Sequence, residues 1–253
     1  MDFHFMIDSL PKLISVIPMT IYISVVSVII GLILAAIIAI VREKKIKVLS
    51  QIFAVLVSFV RGTPILVQLY VIYYGLPQFL YYLQNQGVNV KPGSLPHLVI
   101  AISAYSLNAA ANLSETIRSA YHSVDKDQYQ AALSVGMTPS LSMRRIVIPQ
   151  LIPNLIPNFS NFFLDLIKDT ALVYNIGIIE IMAKSNIVAS FGFKYLETYL
   201  DALFLYLVIC FVFGKILSLT ETYVTRRVFS GKTHSVVKKT PQVDETEVKV
   251  GGN

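Results

Sequence analysis

The chain has 253 residues, 55% of them apolar and only 14% charged, which excludes an ordinary soluble domain and points to a multi-spanning membrane protein. Its net charge of +6 lies in short clusters beside apolar runs, a topology signal rather than a footprint for nucleic acid. The single cysteine, Cys210, excludes a disulfide framework and a thiol metal site. At one span per roughly 20 apolar residues, a chain of this length holds about five spans plus loops.

Residues 1–16 carry Asp2, Asp8 and a lone Lys12, with no basic stretch ahead of an apolar core. This is not the pattern of a cleavable signal peptide. The segment reads as partly amphipathic, lying at the outer membrane surface. The first span, from Ile17 to Val41, stops at Arg42-Glu43-Lys44-Lys45-Ile46-Lys47. A basic stop of this density marks the cytoplasmic side and leaves the amino terminus outside. The second span, from about Ile52 to Leu83, contains Arg61-Gly62-Thr63-Pro64, a combination that breaks or kinks a helix and frees backbone groups that need protein partners. Residues 84–96 are a turn-rich external loop. In the third span, His97 to Ser119, the residues Asn108, Asn112 and Glu115 recur at helical spacing and share a face. An intramembrane carboxylate is a site candidate by default, yet Arg118 lies three residues on and neutralises Glu115 in the structural reading, which is favoured.

Between the third and fourth spans lies the longest polar interruption. Asp125 is placed to cap a helix, with Gln128 completing a capping box. Gly136 sits where a left-handed residue ends that helix, and Pro139 bars its continuation. Such a short helix, carrying small residues, suits a knob for another protein's socket; the alternative is an ordinary amphipathic loop helix. Pro149, Pro153 and Pro157 follow on one face and are expected to bend the entry to the fourth span. That span then carries Asp165, Lys168 and Asp169 among apolar residues, which must line a cavity or pair with one another. Residues 173–199 suit an external segment with a partly immersed helix. The fifth span runs from Asp201 to Val224 and ends at Arg226-Arg227, and from Ser230 the tail is polar and expected to be disordered. Gly231-Lys232-Thr233 echoes the end of a phosphate-binding loop, but the required upstream glycine and strand are missing. The four histidines, His4, His97, His122 and His234, are scattered. Neither the charged rings of a channel nor the constellation of a membrane enzyme is visible.

Four runs resemble one family in its own order. Gln130-Ala131-Ala132, Gly136, Ile146 and Pro149 resemble the "EAA" coupling loop of permease subunits in binding-protein-dependent ABC importers, with Gln130 in place of the usual glutamate. Phe59-Val60-Arg61-Gly62-Thr63-Pro64 with Ile65-Leu66-Val67-Gln68 resembles the "FRGTP-LLVQ" signature of the polar amino acid branch. Leu107-Asn108-Ala109-Ala110 through Glu115 and Arg118 is similar to a further family pattern. Ile167-Lys168-Asp169-Thr170 is similar to its "LIK-D/N-T-S-L" element, with Ala171 for serine.

The resemblance implies an all-α membrane protein of type I ABC importer permease fold, with about five transmembrane helices, amino terminus outside and carboxyl terminus inside. It implies a permease domain over residues 17–228, a coupling loop over 118–150 and a polar cytoplasmic tail over 229–253. Gln130, Ala131, Ala132, Gly136, Met137 and Arg145 are then expected to meet a cytoplasmic ATPase dimer. Gln68, Asn108, Asn112, Asp165, Lys168, Asp169 and Thr170 are expected to face the substrate path. For Gln68 a plain helix–helix hydrogen bond, and for Lys168 an internal pair with Asp165, stand as the structural alternatives. The further partners implied are an external solute-binding protein, a second permease subunit, membrane lipid and an amino acid, with no nucleic acid. ATP and magnesium would belong to the ATPase, so this chain needs no cofactor of its own and is no enzyme. The expected location is the bacterial cell membrane. Among substrates the look is closest to permeases for cystine and other sulfur-containing amino acids, with glutamine, glutamate, arginine or histidine as alternatives.

Overall fold

A computed structural model describes residues 1–89 and 95–229; the tail from Ser230 and its Gly231-Lys232-Thr233 lie outside the described residues. Among these, every regular element is a helix. The order is α1 (Phe3–Ile14), α2 (Ile17–Glu43), α3 (Leu49–Arg61), α4 (Ile65–Asn85), α5 (His97–His122), α6 (Lys126–Ser134), α7 (Pro139–Ser142), α8 (Ile148–Asp169), α9 (Ile181–Ser190) and α10 (Tyr195–Phe229). A π turn over Met143–Val147 leads into α8, and a 3-10 turn over Thr170–Ile176 leaves it.

Helix α5 is the centre. It packs along α2 and also touches α3, α4 and α8. Its buried face is mostly small: Ala101, Ala104, Ala109, Ala110, Ala111 and Ser114 line up beside the larger Tyr105 and Leu113. Small side chains let helix backbones approach, the usual means of association where lipid removes the hydrophobic drive between helices. Gly31 on α2 sits at that contact, against Ser106, Ala109 and Ala110. The composition that allows this packing makes α5 less apolar. Among the described residues, only α2 and α10 are single helices long and apolar enough to cross a membrane by length and composition. The expected second span is not one helix: α3 and α4 are separate and meet at an angle of 111°. Pro64 lacks an amide hydrogen and directs the residue ahead of it out of the helical region, so the chain turns there.

The three prolines all lie in the first half of α8. Pro149 lies in the first turn of α8, while Pro153 and Pro157 are carried within one helix running unbroken to Asp169. The irregularity precedes them, where the amide of Ile148 reaches back five residues to the carbonyl of Met143. A π turn of this kind absorbs the crowding that a proline imposes on the preceding turn.

At the other end of α2 from Glu43, α1 is held against α9 and α10. Asp2 caps α1 through the Phe5 amide at 3.1 Å and accepts from the Lys194 ammonium, while its own amide donates to Glu197 Oε1 at 3.1 Å. The hydrogen bond from Lys194 holds the Asp2 carboxyl below the usual carboxylate range. A lowered value means that this tie is complete at neutral pH and is lost as pH falls through it.

Candidate functional site

The helix break between α3 and α4 exposes carbonyls that an unbroken helix would have satisfied, and Gln68 supplies the missing donor. Its Nε2 lies 2.7 Å from the Val60 carbonyl, 3.0 Å from that of Thr63 and 2.9 Å from Thr63 Oγ1. Its Oε1 accepts from Asn108 Nδ2 at 3.0 Å, and Asn108 Oδ1 accepts from Asn112 Nδ2 at 3.1 Å. Three of the residues expected on the substrate path therefore form one polar chain from the helix break onto α5, all half-buried. Gln68 performs the structural role weighed against the cavity role: it seals the break and fastens α4 to α5. A buried amide with several partners satisfied is rigid, which suits the wall of a path.

One turn further along the same face is an ion-pair ladder. Glu115 pairs with Arg42 of α2 and, at 3.3 Å, with Arg118. Arg118 lies 3.6 Å from Glu43, which is 3.1 Å from His122. The i, i+3 spacing predicts Glu115 with Arg118, and the basic stop at Arg42 predicts only a topology. The structure brings Arg42 across to α5, so the basic stop of α2 also ties the two central helices together.

The charged run on α8 is placed otherwise than its apolar neighbours suggest. Lys168 Nζ is 2.6 Å from Asp165 Oδ1, and the two side chains are 56% and 65% exposed in this chain. The ammonium is not sunk among apolar side chains, because the i, i+3 spacing puts both charges on the outward stripe of α8. Asp169 is half-buried, and its carbonyl accepts the Tyr105 hydroxyl at 2.7 Å. Tyr105 stands three residues before Asn108, so α5 touches both polar groups within a turn. Thr170 departs from expectation: it is fully buried and its hydroxyl donates to the Ile167 carbonyl at 2.6 Å. Thr170 is adjacent to Asp169 in sequence, but it stands seven, four and three residues after the buried Phe163, Leu166 and Ile167, so helical spacing itself puts it on the inward stripe of α8, away from Lys168.

A buried acid stands outside the residues expected on the substrate path. Glu180 has no exposed surface; its Oε1 caps α9 through the Ala183 amide at 3.0 Å, and its Oε2 accepts the Tyr206 hydroxyl at 2.6 Å. Glutamate is not a usual N-cap residue, so the sequence, which suits an external segment with a partly immersed helix over 173–199, carries no strong local signal for this role.

The coupling segment forms as its cues require. Asp125 accepts from the Asp127 amide at 3.0 Å. The capping box does not close: Gln128 Oε1 instead takes Gln150 Nε2 at 2.6 Å, tying α6 to the start of α8. Gly136 has φ +84°, with its amide on the Leu133 carbonyl at 2.9 Å and that of Met137 on Ala132 at 3.1 Å. This is the Schellman end that only a glycine adopts cheaply. Pro139 opens α7 behind the Thr138 cap. Gln130, Ala131, Gly136 and Arg145 are exposed, Met137 is half-buried and Ala132 turns inward at 6% exposure. Two apolar residues not singled out from sequence, Leu133 and Val135, stand out from the end of α6.

Residues 27–230 match the family model described as binding-protein-dependent transport system inner membrane component. The chain belongs to this family. Its members are ABC permease subunits, not enzymes, and the all-helical architecture is that of the type I ABC importer permease fold. The chain is 38% identical over 225 residues to the probable amino-acid permease protein YxeN of Bacillus subtilis, covering 89% of this chain and 96% of that one. It is also 38% identical over 210 residues to the L-cystine transport system permease protein TcyB of the same organism, covering 83% of each. Among solved structures, a crystal structure of an amino acid ABC transporter with histidines superimposes with a TM-score of 0.77 at 34% identity, covering 88% of this chain and 99% of that one.

Proposed function

We propose that this permease forms half of the translocation pore of an ATP-driven importer for a polar amino acid, with cystine the first candidate. The observation that carries this reading is the exposed Asp165–Lys168 pair. Two opposite charges on the outward face of a membrane helix cost several kcal/mol against lipid, so that face lines a watery path. A zwitterion needs an anion for its ammonium and a cation for its carboxylate, and the pair offers both. The likeness to an L-cystine permease supports the choice of cystine.

In this reading α6 and the exposed Leu133 and Val135 beyond it enter a groove on a cytoplasmic ATPase dimer, which holds the ATP and magnesium. A solute-binding protein delivers substrate from outside, a second permease subunit completes the pore, and the location is the bacterial inner membrane. The concentration of Arg and Lys at the Arg42, Arg118, Arg144, Arg145 and Arg226 ends supports an inward-facing coupling helix.

Uptake of radiolabelled cystine into proteoliposomes tests the substrate. Saturable, ATP-dependent uptake that excess unlabelled cystine suppresses is the expected result; uptake of another amino acid that cystine leaves untouched overturns the choice. Lys168→Met tests the site. Because an exposed i, i+3 pair contributes only about 0.2–1 kcal/mol, the variant complex is expected to assemble at the parent yield and lose uptake by at least tenfold. Wild-type uptake by an assembled Lys168→Met complex removes Lys168 from the path.

Gly136→Val tests the coupling role. Valine is strained at φ +84° whatever the space around it, and among the described residues nothing beyond its chain neighbours lies within 4 Å of the added carbon. The expected result is reduced co-purification of the ATPase from membranes that hold normal amounts of the permease. Unchanged recovery together with unchanged uptake removes the loop from coupling.

A further inference from the structure

Helix α1 does not have the two faces of an ordinary surface helix; it has three. At 100° per residue, Phe3, Ile7, Leu10 and Ile14 fall within one sector, His4, Asp8, Lys12 and Ser15 within a second, and Ser9 and Leu13 within a third, about 120° apart. The third sector is buried against the bundle, where the Ser9 hydroxyl donates to the buried carboxylate of Asp201. The polar sector is exposed. The apolar sector is open as well, with Phe3 67% and Ile7 72% exposed. Between this sector and α10 runs a groove lined by the apolar Phe3, Met6, Ile7, Leu10, Leu200 and Phe204, with Asp201, bonded to Ser9, also in its wall.

One exposed apolar sector, one exposed polar sector and one sector docked on the bundle fit together where water, hydrocarbon and protein meet. That is the position of a helix lying in the plane of a membrane interface. The groove also leads somewhere definite. Beyond Phe204, the outward residues Leu203, Leu207 and Phe211 continue the same exposed apolar strip along α10, one of the two helices long and apolar enough to span a membrane unaided. The charged groups nearby are already taken: Asp2 by Lys194, Glu197 by the Asp2 amide, and Asp201 by Ser9. The groove therefore presents hydrocarbon to its occupant and no open charge.

We propose that the α1–α10 groove seats an acyl chain of a membrane phospholipid, with α1 lying in the interface and its His4–Asp8–Lys12 stripe turned to the headgroups. The lipid then acts as the missing third side of α1's packing, and the polar ties from Asp2 and Ser9 set the depth at which the helix rides. This rests on α10 crossing the membrane, and not on which amino acid is carried.

The chain contains no tryptophan, so a single introduced indole reports its own surroundings as a difference from the parent complex. The assembled transporter is placed in nanodiscs of phosphatidylcholine, either plain or with one acyl chain brominated at carbons 6 and 7. Phe3→Trp on one wall of the groove and Phe204→Trp on the other are conservative and keep the aromatic packing. Both difference signals are expected to fall by more than half in brominated nanodiscs, and that of His4→Trp by no more than a third as much. Phe3→Trp quenched no more than His4→Trp overturns the proposal, as does protection of Phe3→Trp when solute-binding protein is added, which would identify a protein occupant. Because the readout is quenching and not uptake, a failure of the substrate reading leaves it unaffected.

Discussion

Gly31→Val is expected to prevent the permease from accumulating as a folded chain. A carbon added at Gly31 would meet the Ala109 side chain at sub-van der Waals distance, the Ser106 carbonyl at 3.1 Å and the Ala110 amide at 3.2 Å. Two of those atoms are backbone of α5 and cannot rotate aside. Overpacking typically costs about 1–3 kcal/mol, and here relief requires parting α2 from α5, the most extensive helix contact in the chain. A shift of that kind also strains the Arg42–Glu115 pair further down the same interface. The measurement is the yield and Tm of the detergent-solubilised complex. Gly75→Ala, where nothing lies within 4 Å of the added carbon, serves as the control and is expected to change little. A Gly31→Val complex with parent yield and Tm would mean that the α2–α5 contact is looser than described.

Glu180→Ala is expected to be the second most damaging change. The substitution removes the cap of α9, worth about 1 kcal/mol, and leaves the Tyr206 hydroxyl without its acceptor, at a further cost of about 1–3 kcal/mol. Glu180→Gln keeps a cap oxygen and a group for Tyr206 to meet, so most of the stability should return. Tyr206→Phe leaves the buried Oε2 of Glu180 without its donor and is expected to cost about 1–3 kcal/mol. In a double-mutant cycle the pair should show coupling, with the Glu180→Ala/Tyr206→Phe chain less destabilised than the sum of the two single changes. Additive effects would separate the cap from the tyrosine. The junction held here joins α9 to α10, so loosening it should also lower the melting temperature more than it lowers membrane abundance.

Much of this was legible in the residues because the cues are local. The end of α6 needed only Gly136: a residue with φ +84° closing a Schellman turn is a matter of one backbone and its own amides. The break at Arg61-Gly62-Thr63-Pro64 was legible for the same reason, though its angle was not, since 111° depends on what α4 packs against. The residues expected on the path divide along the same line. Helical spacing alone put Asn108 and Asn112 on one face, but that Gln68 would reach across to Asn108 while sealing α3 is a contact between residues forty positions apart. Thr170 lies next to Asp169 in sequence but shares a stripe with Phe163, Leu166 and Ile167, and only the packing of α8 decides that this stripe is the buried one.

Sequence by itself determined that the chain lives in a membrane, where α6 ends and where the α3–α4 break falls, and which polar side chains share a stripe. Each of these follows from hydropathy, caps and the period of 3.6 residues, which act over a few positions. Only the tertiary structure decided which partner each buried polar group found: Arg42 for Glu115, Tyr206 for Glu180, Ser9 for Asp201. In a low-dielectric interior every such group must be satisfied, but several donors lie on neighbouring helices, and only the close approach of α2 and α5 at Gly31 and the docking of α1 on α10 select among them.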